Sequence, residues 1–124
     1  MADLSFNRTT GELKAFGKTW TAVSGGGSFK PLAKKTYAIP ALSLMVGTKK
    51  AKGAIQSDIY TQEAFKDPDG LGWYLWIGEA GLGIHPDGNV PGTLGCIGVK
   101  GKTTDLFDEL RQHSDKPLTL EVTD

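Results

Sequence analysis

With 124 residues, 39% of them hydrophobic and 23% charged, the chain is long enough to bury one core and too short to require two. Fourteen basic residues balance fourteen acidic ones, so no net field draws it to nucleic acid or to an anionic membrane surface. A single cysteine excludes an internal disulfide framework, and no apolar run nears the roughly 20 residues of a membrane span. Met1–Phe6 lacks a basic region followed by an apolar run, so synthesis in the cytoplasm without a signal peptide is expected.

The first third reads as a meander of short strands. Asp3–Phe6 and Glu12–Phe16 alternate apolar and polar residues, with turn residues at 7–11 between them, and Thr19–Val23 is rich in β-branched and aromatic residues. Ser24-Gly25-Gly26-Gly27-Ser28 reads as a mobile surface loop; no Gly-Lys-Ser/Thr follows it, which excludes a phosphate-binding loop. Lys34–Ile39, ended by Pro40, and Leu42–Val46 suit strands, and Gly47–Gly53 reads as a solvated basic turn. Ala54–Tyr60 is a further strand, and Asp67-Pro68-Asp69-Gly70 a turn. Trp73–Ile77, the most hydrophobic run, is expected to be a central strand covered on both faces, its tryptophans packing in the core rather than lining a sugar groove.

One helix follows, capped by Thr103 or Thr104, with Asp105 near its start and Leu106, Phe107 and Leu110 as its apolar stripe. Lys116-Pro117 is expected to end it, and Leu118–Val122 alternates as a last strand. His113 is placed on the polar side of the helix, facing solvent. The sum is a mainly β (β-rich α+β) single domain over residues 1–124.

Chemistry concentrates between residues 81 and 98. Cys96 lies in Gly95-Cys96-Ile97-Gly98, and His85 ends the strand-like run Gly81–Ile84 before the turn Pro86-Asp87-Gly88-Asn89. A free cysteine is often a small buried hydrophobe. Beside a histidine it is also a candidate nucleophile, the imidazole taking the thiol proton and the thiolate attacking carbonyl carbon. Glycines 95 and 98 leave the backbone open to a substrate, Thr93 can hydrogen-bond in the site, and N–H groups around Gly95 and Cys96 can hold an oxyanion. Asp87 and Gly98 flank the pair as substrate-binding positions. Either Asp87 or a backbone carbonyl can orient His85. A zinc site would have only His85, Cys96 and Asp87 to draw on, so neither metal nor cofactor is expected.

His85 followed by Thr93-Leu94-Gly95-Cys96-Ile97 resembles the signature of the L,D-transpeptidase catalytic domain, a histidine and a connecting stretch ahead of Ser/Thr-His-Gly-Cys and a hydrophobic residue. Matched by position, His85 takes the place of the catalytic histidine, Cys96 of the nucleophile, Thr93 of the Ser/Thr and Gly95 of the glycine before the cysteine. The order, histidine before cysteine, differs from that of papain-like cell-wall peptidases. Ser24-Gly25 and Tyr37–Pro40 are similar to regions of short members found among phage proteins and type VI secretion effectors. Leu94 departs from the second histidine of the motif, Gly98 from a polar residue, and the 11 positions from His85 to Cys96 are fewer than usual.

The resemblance implies an L,D-transpeptidase-like β-sandwich or barrel with one late helix, and a cysteine enzyme acting on peptidoglycan stem peptides. The short connection favours hydrolysis, an L,D-carboxypeptidase, with D-amino-acid exchange beside it. A lytic or antibacterial setting is expected, with delivery machinery or an immunity protein as partners and action in the periplasm or cell wall. The non-enzymatic alternative is a β-rich wall-binding or virion module in which Cys96 is simply buried.

Overall fold

The structure, a computed structural model, describes residues 2–25, 32–47, 54–56, 66–79, 82–87 and 96–124. Among the described residues, ten strands form one mixed sheet. They are β1 (Leu4–Asn7), β2 (Glu12–Ala15), β3 (Lys18–Ser24), β4 (Thr36–Ile39), β5 (Leu44–Val46), β6 (Ile55–Gln56), β7 (Trp73–Trp76), β8 (Gly83–Pro86), β9 (Ile97–Val99) and β10 (Leu118–Thr123). A helix, α1 (Thr104–Gln112), lies between β9 and β10. The sheet order is β4-β10-β1-β2-β3-β9-β8-β7-β5-β6. The expected meander is β1–β2–β3, antiparallel throughout, and β1 also pairs in parallel with β10.

Alternation along the strands decides which side chains go inward. Leu4 and Phe6, Leu13 and Ala15, Trp20 and Ala22, and Leu118, Leu120 and Val122 enter one core with Trp73, Leu75, Ile84, Ile97 and Val99. The helix closes this core with Leu106, Phe107 and Leu110, Phe107 lying 6.3 Å from the Trp73 ring. Trp73 is fully buried, so it packs as expected, while Trp76 at the end of β7 is 37% exposed.

The sheet curls until its far parts meet. Gly78, in the turn after β7, has φ +88° and lies so close to β4 that a Cβ there would fall 2.3 Å from the Ala38 carbonyl oxygen. Beside it, Lys35 pairs with Glu79, and the Trp76 indole N–H donates to the Glu79 carbonyl at 2.7 Å. This mainly β architecture, with one helix among the described residues, is the expected class of fold.

Several local expectations are corrected. Phe16 is not part of β2: it turns at φ +53° and stacks on His113, ring centroids 4.8 Å apart. His113 is therefore half-buried rather than solvent-facing, and its Nδ1 lies 2.8 Å from the Glu109 carbonyl oxygen. The helix ends at Gln112, short of Lys116-Pro117. Leu42 stands outside β5 at φ +60°, 63% exposed. Ser24 belongs to β3, paired with Ile97, and its hydroxyl accepts the Leu32 N–H. Residues 26–28 of the expected loop, most of the basic turn and residues 57–60 lie outside the described residues.

Thr103 holds the N-cap position, as expected, but its side chain makes no cap hydrogen bond because it is committed elsewhere. Its hydroxyl donates to Asp67 Oδ2 at 2.9 Å and accepts the Trp73 indole N–H at 2.9 Å. Asp67, 5% exposed, also accepts the N–H groups of Thr103, Asp69 and Leu71. One carboxylate thus ties the 67–71 turn to the helix start and, through Thr103, to β7. Asp67→Ala leaves four donors without their acceptor and should cost about 3 kcal/mol of stability in urea unfolding. Asp67→Asn, which keeps one acceptor oxygen, should cost less.

Candidate active site

Two adjacent strands place the sequence-predicted pair on one face of the sheet. β8 and β9 are parallel neighbours, with Ile84 opposite Ile97, His85 opposite Gly98 and Pro86 opposite Val99. Ile84, Ile97 and Val99 are fully buried in the core, so His85 and Gly98 present the opposite face. Cys96 immediately precedes β9, one residue before Ile97. Gly98 places no side chain beside the imidazole.

A third side chain joins them. β7 runs antiparallel to β8, with Leu75 opposite Ile84 and Trp76 opposite Gly83. Tyr74 therefore shares the face of His85. The two rings stack nearly parallel, 8° apart with centroids separated by 5.9 Å, and the Tyr74 hydroxyl lies 3.7 Å from Cys96 Sγ. Tyr74 is 8% exposed, and His85 and Cys96 7% each. Sequence reasoning missed this tyrosine by treating Trp73–Ile77 as a run with one role. The available signal was alternation, which separates Tyr74 and Trp76 from the core residues Trp73 and Leu75.

His85 Nδ1 lies 2.7 Å from the carbonyl oxygen of Pro86. A carbonyl only accepts, so Nδ1 carries the proton and Nε2 of the neutral ring keeps its lone pair. Of the two orienting groups left open by the sequence, the backbone carbonyl makes the contact. Burial holds His85 below its ordinary value of 6.5, opposed by the Pro86 bond and the Asp87 charge. The imidazole is thus neutral at neutral pH, with a basic nitrogen to accept a proton.

Asp87 is half-buried, and its N–H donates to the Val99 carbonyl at 2.8 Å. It lines a cavity of about 230 Å³ with Lys66, Pro68, Lys100 and Gly101, beyond the end of β8. Thr93, Leu94 and Gly95 lie outside the described residues. His113, just past the end of the helix, stacks on Phe16 and takes no part in this group. Among the described residues no three His, Cys, Asp or Glu side chains gather to hold a metal, and no helix is long and apolar enough to cross a membrane.

The fold is that of L,D-transpeptidases. The chain is similar in structure to L,D-transpeptidase 1 of Mycobacterium tuberculosis, with a TM-score of 0.56 at 12% identity, covering 98% of this chain and 60% of that one. It is similar also to an L,D-transpeptidase of Mycobacterium smegmatis, with a TM-score of 0.54 at 14% identity, covering 99% and 59%. The chain thus spans about three fifths of the length of these two proteins. At such identities the likeness is one of fold. No family model matches the sequence, and no curated protein does.

Burial of a neutral His85 has a thermodynamic consequence. Below the ordinary value of 6.5 the unfolded chain takes up a proton that the folded site resists, so stability is lost as pH falls through this range. Urea midpoints followed from about pH 7.5 to about pH 5 should drop more steeply for the wild type than for His85→Gln. Parallel curves would show that the imidazole is not held neutral by the fold.

Proposed function

We propose that residues 1–124 form one catalytic domain, a cysteine-dependent acyl-transfer enzyme of peptidoglycan stem peptides. Its main activity is hydrolysis, as an L,D-carboxypeptidase, with exchange of the terminal D-amino acid as a side reaction. The observation carrying this reading is the Tyr74–His85–Cys96 group on an L,D-transpeptidase-like fold, with His85 Nε2 left basic by the Nδ1 bond to Pro86.

In this reading the Cys96 proton passes to His85 Nε2, and the thiolate attacks the carbonyl of the L-centre of the diaminopimelate-type residue. The S–C bond forms as the carbonyl pair moves to oxygen, where the amides of Gly95 and Cys96 receive it. Collapse breaks the C–N bond, and the departing D-amino acid takes the proton from His85. Water, giving a proton to His85, then attacks the thioester and returns the free thiol with a carboxylic acid product. An amine in place of water gives exchange. The role assigned to Thr93 is that of the Ser/Thr its position matches in the motif, and Asp87 and Gly98 border the bound peptide. The short link from His85 to Cys96 supports hydrolysis, since it leaves less chain to frame an acceptor strand. The setting is lytic or antibacterial: the protein acts in the periplasm or wall after cell lysis or through a delivery machine, with an immunity protein as partner where it is delivered.

One observation favours a different reading: Cys96 is 7% exposed, as in a non-catalytic wall-binding or virion module where it would simply fill space. Mass spectrometry of tetrapeptide muropeptides incubated with wild type and with Cys96→Ala separates the two. Loss of the terminal D-alanine with the wild type, reduced at least about a thousandfold in the variant, is expected. Dimers or exchanged termini would make transpeptidation the main activity, and cleavage at another bond an endopeptidase or amidase. Unchanged muropeptides with a folded wild type would leave the binding module.

A further inference from the structure

The thiol has a neighbour that the histidine–cysteine pairing does not explain. β7 carries Tyr74 directly over β8, and the ring can lie there only because residue 83 is glycine. A Cβ at Gly83 would fall 2.3 Å from Tyr74 Cζ, 2.5 Å from Cε1 and 2.6 Å from the hydroxyl oxygen. In this cradle the ring stacks on His85 and its hydroxyl reaches to 3.7 Å from Cys96 Sγ. The strand neighbours paired with this group add no charge: Met45 of β5 is opposite Tyr74, and Val23 of β3 is opposite Gly98. Among the described residues, the charge that acts on His85 is that of Asp87.

From this geometry we infer that Tyr74 is a positioning residue of the nucleophile, seated by Gly83, whose hydroxyl donates to Cys96 Sγ once the thiol proton has passed to His85. The inference rests on reading Cys96 as the nucleophile. Chemically, the phenol is a donor that a buried thiolate needs, because a charged sulfur without a donor is costly away from water. The phenol keeps its proton in this step, so the only proton transferred is the thiol's, to His85 Nε2. The stacked ring also fixes the imidazole plane relative to the sulfur.

Two readouts test this. Thiolate absorbance in the ultraviolet, titrated with pH as a difference from Cys96→Ala, is recorded for wild type, Tyr74→Phe, Gly83→Ala and the double variant; muropeptide cleavage is measured alongside. Tyr74→Phe should keep the fold, by circular dichroism, while lowering the thiolate population near neutral pH about tenfold, the alkaline rise moving upward by about one pH unit. Gly83→Ala should do likewise by displacing the ring, and should add nothing to the titration change once Tyr74→Phe is present. Wild-type and Tyr74→Phe titrations that superimpose, while the wild type cleaves in a Cys96-dependent way, would overturn the role of Tyr74 alone. Absence of Cys96-dependent cleavage by the wild type would overturn the enzymatic reading, and this assignment with it.

Discussion

The parallel pairing of β8 with β9 is the constraint on which the rest depends. Parallel neighbours usually need a crossover of a dozen or more residues, commonly a helix, to bring the second strand back to the start of the first. Here β8 ends at Pro86 and β9 begins at Ile97, so ten residues make the return. A link this short leaves the end of the connection, Cys96, beside the strand that carries His85. The register is held from the other face: Ile84, Ile97 and Val99 are fully buried, and a slip of one residue would turn them outward. Core packing thereby sets the geometry of the polar face without any polar residue having to do so.

That polar face is itself withdrawn from water. Tyr74, His85 and Cys96 are almost completely buried, yet they lie on the side of the sheet away from the main core. Burial makes each hydrogen bond there stronger and each missing one more costly. Among the described residues no buried side-chain nitrogen or oxygen lacks a partner. The Pro86 carbonyl is well suited to orient His85 because it belongs to the next residue of the same strand, and Pro86 is itself paired with Val99. Any motion of the acceptor relative to the ring would have to distort the ladder.

Much of the frame was legible because its signals are local. The alternation of Asp3–Phe6, Glu12–Phe16 and Leu118–Val122, each within a residue of the strand it marks, and the apolar stripe Leu106, Phe107, Leu110, need only the residues themselves. His85 and Cys96 stood out by scarcity and by the glycine-rich chain around them. What failed depended on partners distant in sequence. Thr103 holds the N-cap position, but its hydroxyl does not cap the helix, because Asp67, 36 positions earlier, takes it. His113 looks solvent-facing until Phe16 turns back onto it. Tyr74 looks like one more apolar residue until pairing with β8 sets it over Gly83 and against His85. The parallel sense of β8 and β9 has no local signature at all.

The glycine content, 17 residues, acquires a specific meaning at two positions. Gly78 allows the β7–β8 turn to touch β4, and Gly83 allows the ring of Tyr74 to cross β8. In both cases the missing Cβ is filled by another group, so these glycines serve close approach rather than mobility. Both lie on one hairpin, five residues apart. The hairpin that closes the sheet on one side is therefore the same one that holds the tyrosine against the thiol on the other. Because backbone positions in a packed hairpin do not move independently, curling of the sheet and placement of the Tyr74 hydroxyl are coupled. The site is a consequence of how the sheet closes, and substitutions at the closure, far from the sulfur in sequence, act on the same geometry.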